Sequence, residues 1–86
     1  EWMAVRKLNV LGFSSVQERI AAWLLQETDE KGMVELKTNR EEQADYLCVA
    51  RPSLSRTLMQ MQKAGLIEAD RKQIRILDRE KLEKIL

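Results

Sequence analysis

Between Thr38 and Lys63 the chain reads T-N-R-E-E-Q-A-D-Y-L-C-V-A-R-P-S-L-S-R-T-L-M-Q-M-Q-K, with Gly65 just beyond. Thr38-Asn39-Arg40-Glu41 has the spacing of a capping box, so a helix is expected to start at Thr38. Pro52 suits the first turn of a second helix, where its missing N–H costs no intrahelical bond. Gly65 supplies the left-handed backbone that ends one. The pattern predicts a first helix over Thr38–Leu47, a tight corner at Leu47-Cys48-Val49-Ala50, and a second helix over Arg51–Ala64. Ala44 and Leu47, with Tyr46 beside them, point the first helix inward. Two short helices meeting at such a corner have the outline of a helix-turn-helix.

The flanking sequence adds the rest of a small domain. Trp2, Val5 and Leu8 recur at three-residue spacing, which predicts an amphipathic helix over Glu1–Leu11 whose partner lies elsewhere. The chain therefore reads as cut from something longer, with residues 1–13 as the end of an upstream dimerisation helix and a linker, and 14–86 as one domain. Gly12 breaks the pattern, and Ser15-Val16-Gln17-Glu18 is a capping box for a helix from Val16 to Thr28. Val16, Ile20, Trp23 and Leu24 share one face of that helix and belong in a core. Thr28–Gly32 is a polar turn, and Met33-Val34-Glu35-Leu36 alternates as a short strand does. After Gly65, Leu66–Ala69 and Ile74–Leu77 flank the charged link Asp70-Arg71-Lys72-Gln73 and read as a hairpin. Asp78 caps a final helix, Arg79–Leu86, with Leu82, Ile85 and Leu86 inward. The fold class is mainly α with a small β-hairpin wing, a winged helix-turn-helix.

Composition narrows the functions open to such a domain. Eighty-six residues, 44% apolar and 34% charged, describe one globular unit. The longest apolar run is Ile20–Leu25, far short of the roughly 20 residues a membrane span needs, so no membrane partner is expected. No signal-peptide pattern opens the chain. The lone Cys48 cannot form an internal disulfide, which fits a reducing, cytoplasmic setting. One cysteine and no histidine leave no ligand set for structural zinc. With no histidine, glycine-rich phosphate loop or paired carboxylates near a nucleophile, an enzyme finds no support.

A net charge of +1 conceals a division along the chain. Glu27–Asp45 carries three cations against seven carboxylates, net −4, whereas Arg51–Arg75 carries six against two, net +4. No acidic residue occurs from Arg51 to Ile67. With Leu54, Leu58 and Met61 on the buried face of the second helix, Pro52, Arg56, Met59, Gln60 and Lys63 occupy the opposite one. Ser53 and Ser55 flank that face, and Arg51 stands at its start. Donors and short hydroxyls without acids suit the major groove, where arginine pairs with guanine O6 and N7 and hydroxyls reach phosphate or base edges. Arg71 and Lys72 at the hairpin tip suit phosphate contact. These residues point to sequence-specific binding of double-stranded DNA, with helix Arg51–Ala64 in the groove and wing Glu68–Ile74 on the backbone. The alternative is a winged helix used as a protein-interaction module, for which exposed Met59 would serve. Such a face should carry more acidic or large apolar residues.

From Ser14 to Leu86 the chain resembles the C-terminal DNA-binding domain of the Crp/Fnr superfamily, the cyclic-AMP-receptor-like bacterial transcription regulators. The resemblance is carried by S-V-Q-E-R-I-A-A-W-L-L, T-N-R-E-E-Q-A-D-Y-L, V-A-R-P-S-L-S-R-T-L, A-G-L-I and I-R-I-L-D-R-E-K-L, in the expected order. It implies a homodimer joined through an upstream helix, a palindromic DNA site, and RNA polymerase as a further partner. It also implies an N-terminal sensor domain in which a cyclic nucleotide or another small effector would bind, and no cofactor within this chain. Carried over residue by residue, the family's contacts fall on Arg51, Ser53 and Arg56, its helix-capping threonine on Thr38, and its basic wing residue on Lys72. Two positions depart from the family pattern. Pro52 stands where glutamate is common and cannot accept from a cytosine amino group, and Cys48 stands at a corner usually held by glycine.

Overall fold

The computed structural model describes residues 15–86. The helix expected over Glu1–Leu11, and the domain division at residue 13, lie outside the described residues. The described chain runs α1 (Val16–Glu27), β1 (Met33–Glu35), α2 (Arg40–Leu47), α3 (Arg51–Lys63), β2 (Ile67–Ala69), β3 (Gln73–Ile76) and α4 (Arg79–Ile85). This is the winged helix-turn-helix read from the sequence.

Local signals account for most element boundaries. The Ser15–Glu18 box forms as written: the Glu18 N–H donates to Ser15 Oγ at 3.0 Å, and the Ser15 N–H donates to Glu18 Oε1 at 3.0 Å. Asp78 accepts from the Lys81 N–H at 3.0 Å and opens α4. The box at the start of α2 is displaced by one residue from its expected place. Asn39, not Thr38, is the cap: its Oδ1 accepts from the Glu42 N–H at 2.9 Å, and Glu42 Oε1 accepts from the Asn39 N–H at 3.3 Å. Thr38-Glu41 and Asn39-Glu42 have the same spacing, so the sequence offers two frames. In the frame adopted, Thr38 stays outside the helix and its carbonyl accepts from Gln43 Nε2 at 2.8 Å.

The two helices of the motif end in the same hydrogen-bonded turn. At the end of α2, the Val49 N–H donates to Ala44 O at 3.0 Å and the Cys48 N–H to Asp45 O at 3.1 Å. At the end of α3, the Leu66 N–H donates to Met61 O and the Gly65 N–H to Gln62 O, both at 3.0 Å. Each turn needs one left-handed residue. Gly65 has φ 78° and Cys48 has φ 57°. The left-handed region costs an L-residue about 1–2 kcal/mol, and the extra freedom of glycine in the unfolded chain returns roughly 0.5–1 kcal/mol of that. Cys48→Gly is therefore expected to stabilise the domain by about 0.5–1 kcal/mol, read as a higher urea midpoint at constant slope. An unchanged or lower midpoint would show that the thiol packs well enough to offset the strain.

The three strands form one antiparallel sheet in the order β1-β3-β2. Val34 pairs with Ile74 and Glu35 with Gln73, while Glu68 faces Arg75 and Ala69 faces Ile74. The hairpin follows from the sequence; its pairing with β1, about 40 residues earlier, is a tertiary choice. Leu36 and Leu77 fall just outside the strands, yet the Leu36 N–H donates to Lys72 O at 2.8 Å and the Leu77 N–H to Leu66 O at 2.9 Å. Alternation puts Ile74 and Ile76 inward and Gln73 and Arg75 outward.

One core joins these layers. Ile20, Leu24, Leu47, Leu54, Met61, Ile67, Ile74, Leu82 and Val34 are its largest fully buried side chains. Val16, Tyr46 and Ile85 are partly buried against it. Leu86, expected inward, is 46% exposed because α4 ends at Ile85.

Candidate DNA interface

The face of α3 follows from where its apolar residues are anchored. Leu54, Leu58 and Met61 are buried, so the positions opposite them face solvent. Arg51, Pro52, Ser55, Arg56, Met59, Gln60 and Lys63 are exposed, and Ser53 is half-buried. The expected face is thus present on a single helix. Met59, 57% exposed, is its only large apolar side chain.

The front of α3 is left open. Ala50 is the cap residue and offers no side-chain acceptor, so no side chain closes the first turn. Arg51 and Pro52 hold the first two positions, and Pro52 has no N–H. The remaining first-turn N–H groups, together with the helix dipole, favour an anion here. The corner in front of them is held from α1: Arg19 Nη1 donates to the carbonyls of Leu47 at 3.2 Å and Cys48 at 3.1 Å. This places a cationic donor on the C-terminal carbonyls of α2, where the dipole favours it.

The wing is built by Asp70. Its Oδ1 accepts from the N–H groups of Lys72 and Gln73, each at 2.8 Å, and its own N–H donates to Gln73 O at 2.9 Å. Those two N–H groups, with the charges of Arg40 and Lys72 adding, hold the Asp70 carboxyl below its ordinary value. Arg71 and Lys72 project from this turn and are exposed. Gln62 on α3 joins the wing to the helix, its Oε1 accepting from the Ala69 N–H at 2.7 Å.

Thr38 lies near the wing turn: its carbonyl accepts from Gln43 Nε2 at 2.8 Å, and the N–H of Leu36, two residues before it, donates to Lys72 O. Thr38 is exposed, caps nothing through its side chain, and lines a cleft of about 390 Å³ floored by Trp23, Val34, Leu36 and Tyr46. No residue of α3 or the wing lines that cleft.

Arg40 and Gln43 have no role assigned from sequence. Arg40 donates from Nη1 to Gln43 Oε1 at 2.9 Å and from Nη2 to Asp70 O at 3.1 Å. Partial burial lowers the Arg40 pKa and the Asp70 charge raises it. A usable signal is present: a cation in the first turn of a helix opposes the dipole, which suggests a partner outside the helix.

Residues 18–85 match the family model of the Crp-like helix-turn-helix domain. This chain belongs to the Crp-like helix-turn-helix family. It is a DNA-binding domain of the Crp/Fnr superfamily of transcription regulators, and these are regulators rather than enzymes. Among solved structures, the Crp-like domain is similar to FixK2 of Bradyrhizobium japonicum, at 28% identity and a TM-score of 0.78, over 91% of this chain and 41% of that one. It is likewise similar to a CooA variant of Carboxydothermus hydrogenoformans, at 27% identity and a TM-score of 0.79, over 95% and 41%. A CRP-family transcriptional regulator of Thermus thermophilus is 28% identical with a TM-score of 0.75, over 92% and 44%. The Crp-like domain thus spans less than half the length of each of these regulators. No curated protein sequence matches it. Among the described residues, no helix is long and apolar enough to cross a membrane.

Proposed function

We propose that this Crp-like domain reads DNA by laying α3 in the major groove and resting the wing, Glu68–Ile74, on the phosphate backbone. The observation that carries the reading is the solvent face of α3, which holds Arg51, Arg56, Gln60 and Lys63 with no acidic residue. Arg56 lies at the centre of that face and is assigned to a base edge, guanine O6 and N7 being the best acceptors for its planar fork. Arg51, Ser53, Ser55 and Lys63 supply phosphate or base-edge contacts around it. Pro52 presents no acceptor to cytosine, so the preferred half-site differs from one read through a glutamate there. Asn39, as the observed cap of α2, takes the capping role that the resemblance placed on Thr38. A protein-binding use of the same face is less well supported, because Met59 is its only large apolar group.

The full regulator is proposed to act as a homodimer on a palindromic site, joined through the segment preceding the domain, with RNA polymerase as a further partner. A single domain lacks the second half-site contact, and its affinity for one half-site is correspondingly low.

The wing's part is tested by Lys72→Ala. Binding to every duplex sequence is expected to weaken alike, and the slope of log K against log[salt] to fall by about one unit. A change in sequence preference with an unchanged slope would remove Lys72 from the phosphate backbone.

A further inference from the structure

The wing turn is tied to α2 through a chain of side-chain hydrogen bonds that ends in the interior. Arg40 Nη2 holds the Asp70 carbonyl at 3.1 Å, and Nη1 holds Gln43 Oε1 at 2.9 Å. Gln43 is 2% exposed and is the only buried polar residue among those described. Its Nε2 donates to Thr38 O at 2.8 Å, which fixes the amide's orientation and leaves Oε1 to receive Arg40. The planar guanidinium therefore spans two acceptors, one on its own helix and one on a turn 30 residues away. Asp70 in turn shapes the backbone of Lys72 and Gln73.

We propose that Arg40 is a positioning residue for DNA binding: by holding the Asp70 carbonyl it fixes the wing turn against α2, so that Arg71 and Lys72 meet the backbone while α3 occupies the groove. The proposal rests on the docking put forward above. Strands of three and four residues on either side of the turn give it little stiffness of their own. The Leu36 N–H on Lys72 O and Gln62 on the Ala69 N–H also tie the hairpin, so loss of Arg40 frees the Asp70 corner of the turn, which would then have to be ordered when DNA binds, at a cost in affinity. Arg40 thus acts through the tip cations and contacts no phosphate itself.

The test is the salt dependence of binding of the 86-residue chain to a mixed-sequence duplex, since wing contacts carry no sequence information. Arg40→Gln is expected to weaken binding by about threefold to tenfold, the range set by ordering one or two side chains on binding. In a chain already lacking both tip cations, Arg71→Ala with Lys72→Ala, Arg40→Gln should have no further effect. If Arg40 neutralised a phosphate directly, its loss would lower the salt slope by about one unit in both backgrounds, and the proposal would be overturned. Arg40→Lys keeps the charge but lacks the planar fork, and should behave as Arg40→Gln does; wild-type binding by the lysine variant would also overturn it. Hydrogen exchange gives an independent reading of the fold. The amides of Lys72 and Gln73 should exchange faster in Arg40→Gln while those of α1 and α3 stay protected, whereas equal loss of protection everywhere would mean a folding role and overturn the positioning one. A wild-type chain that bound no duplex would overturn the docking and this proposal with it. Unchanged wing exchange in an Arg40→Gln chain whose parent does bind would overturn the proposal alone.

Discussion

Replacing Leu54 by alanine is expected to destabilise the domain by about 2–5 kcal/mol, the range for removing a buried leucine side chain and leaving a cavity. Leu54 is fully buried on the inner face of α3, one turn before Leu58 and two before Met61. It shares a single core with Ile20 and Leu24 of α1 and with Leu47 at the end of α2. A domain of this size holds only about 5–15 kcal/mol of total stability, so the loss removes a large share of it. Urea unfolding should show a lower midpoint, and binding to DNA should fall with the folded fraction. Recovery of wild-type affinity at a temperature where the variant is fully folded would confirm that Leu54 seats the helix without touching DNA. A loss well below about 1 kcal/mol would mean that α3 is not anchored through this residue.

Replacing Arg56 by alanine should leave stability nearly unchanged and weaken specific binding by about 1–3 kcal/mol. The side chain is exposed at the centre of the outer face of α3, so its removal opens no cavity in the core. Discrimination should relax at one base pair of each half-site while preference at the others persists. Competition between duplexes differing at single positions measures this directly. Intact affinity together with intact preference in Arg56→Ala would place a different face of α3 against the DNA. The two substitutions, two residues apart on one helix, separate what holds the reading helix from what reads.

The outline of the motif was legible because its signals are local. Ser15 and Glu18 lie within one turn, as do Asp78 and Lys81, and each pair forms the bond its spacing calls for. The apolar period of Leu54, Leu58 and Met61 named the buried face of α3, and the solvent face followed by geometry. Gly65 announced the end of α3 because few other residues adopt φ near 78° without strain.

Where local signals were duplicated or absent, sequence reading stopped short. Thr38 and Asn39 are both good caps with a glutamate three residues on, so the local pattern does not separate the two frames; the structure adopts Asn39. Leu86 has the spacing of an inward residue, but α4 ends one residue earlier and leaves it near solvent. Cys48 stands at a corner usually held by glycine, but that a cysteine would tolerate the left-handed conformation there is settled by the motif's bonds, which impose it whatever the side chain.

The sequence by itself determined the order of elements, the reading helix with its basic outer face, and membership in a family of DNA-binding domains, because each depends on residues near one another in the chain. Tertiary structure alone decided that β1 joins the wing sheet and that Arg40, seated on Gln43, reaches the wing turn. Those outcomes depend on groups about 30 to 40 residues apart brought together by a shared core, and no periodicity along the chain records such a distance.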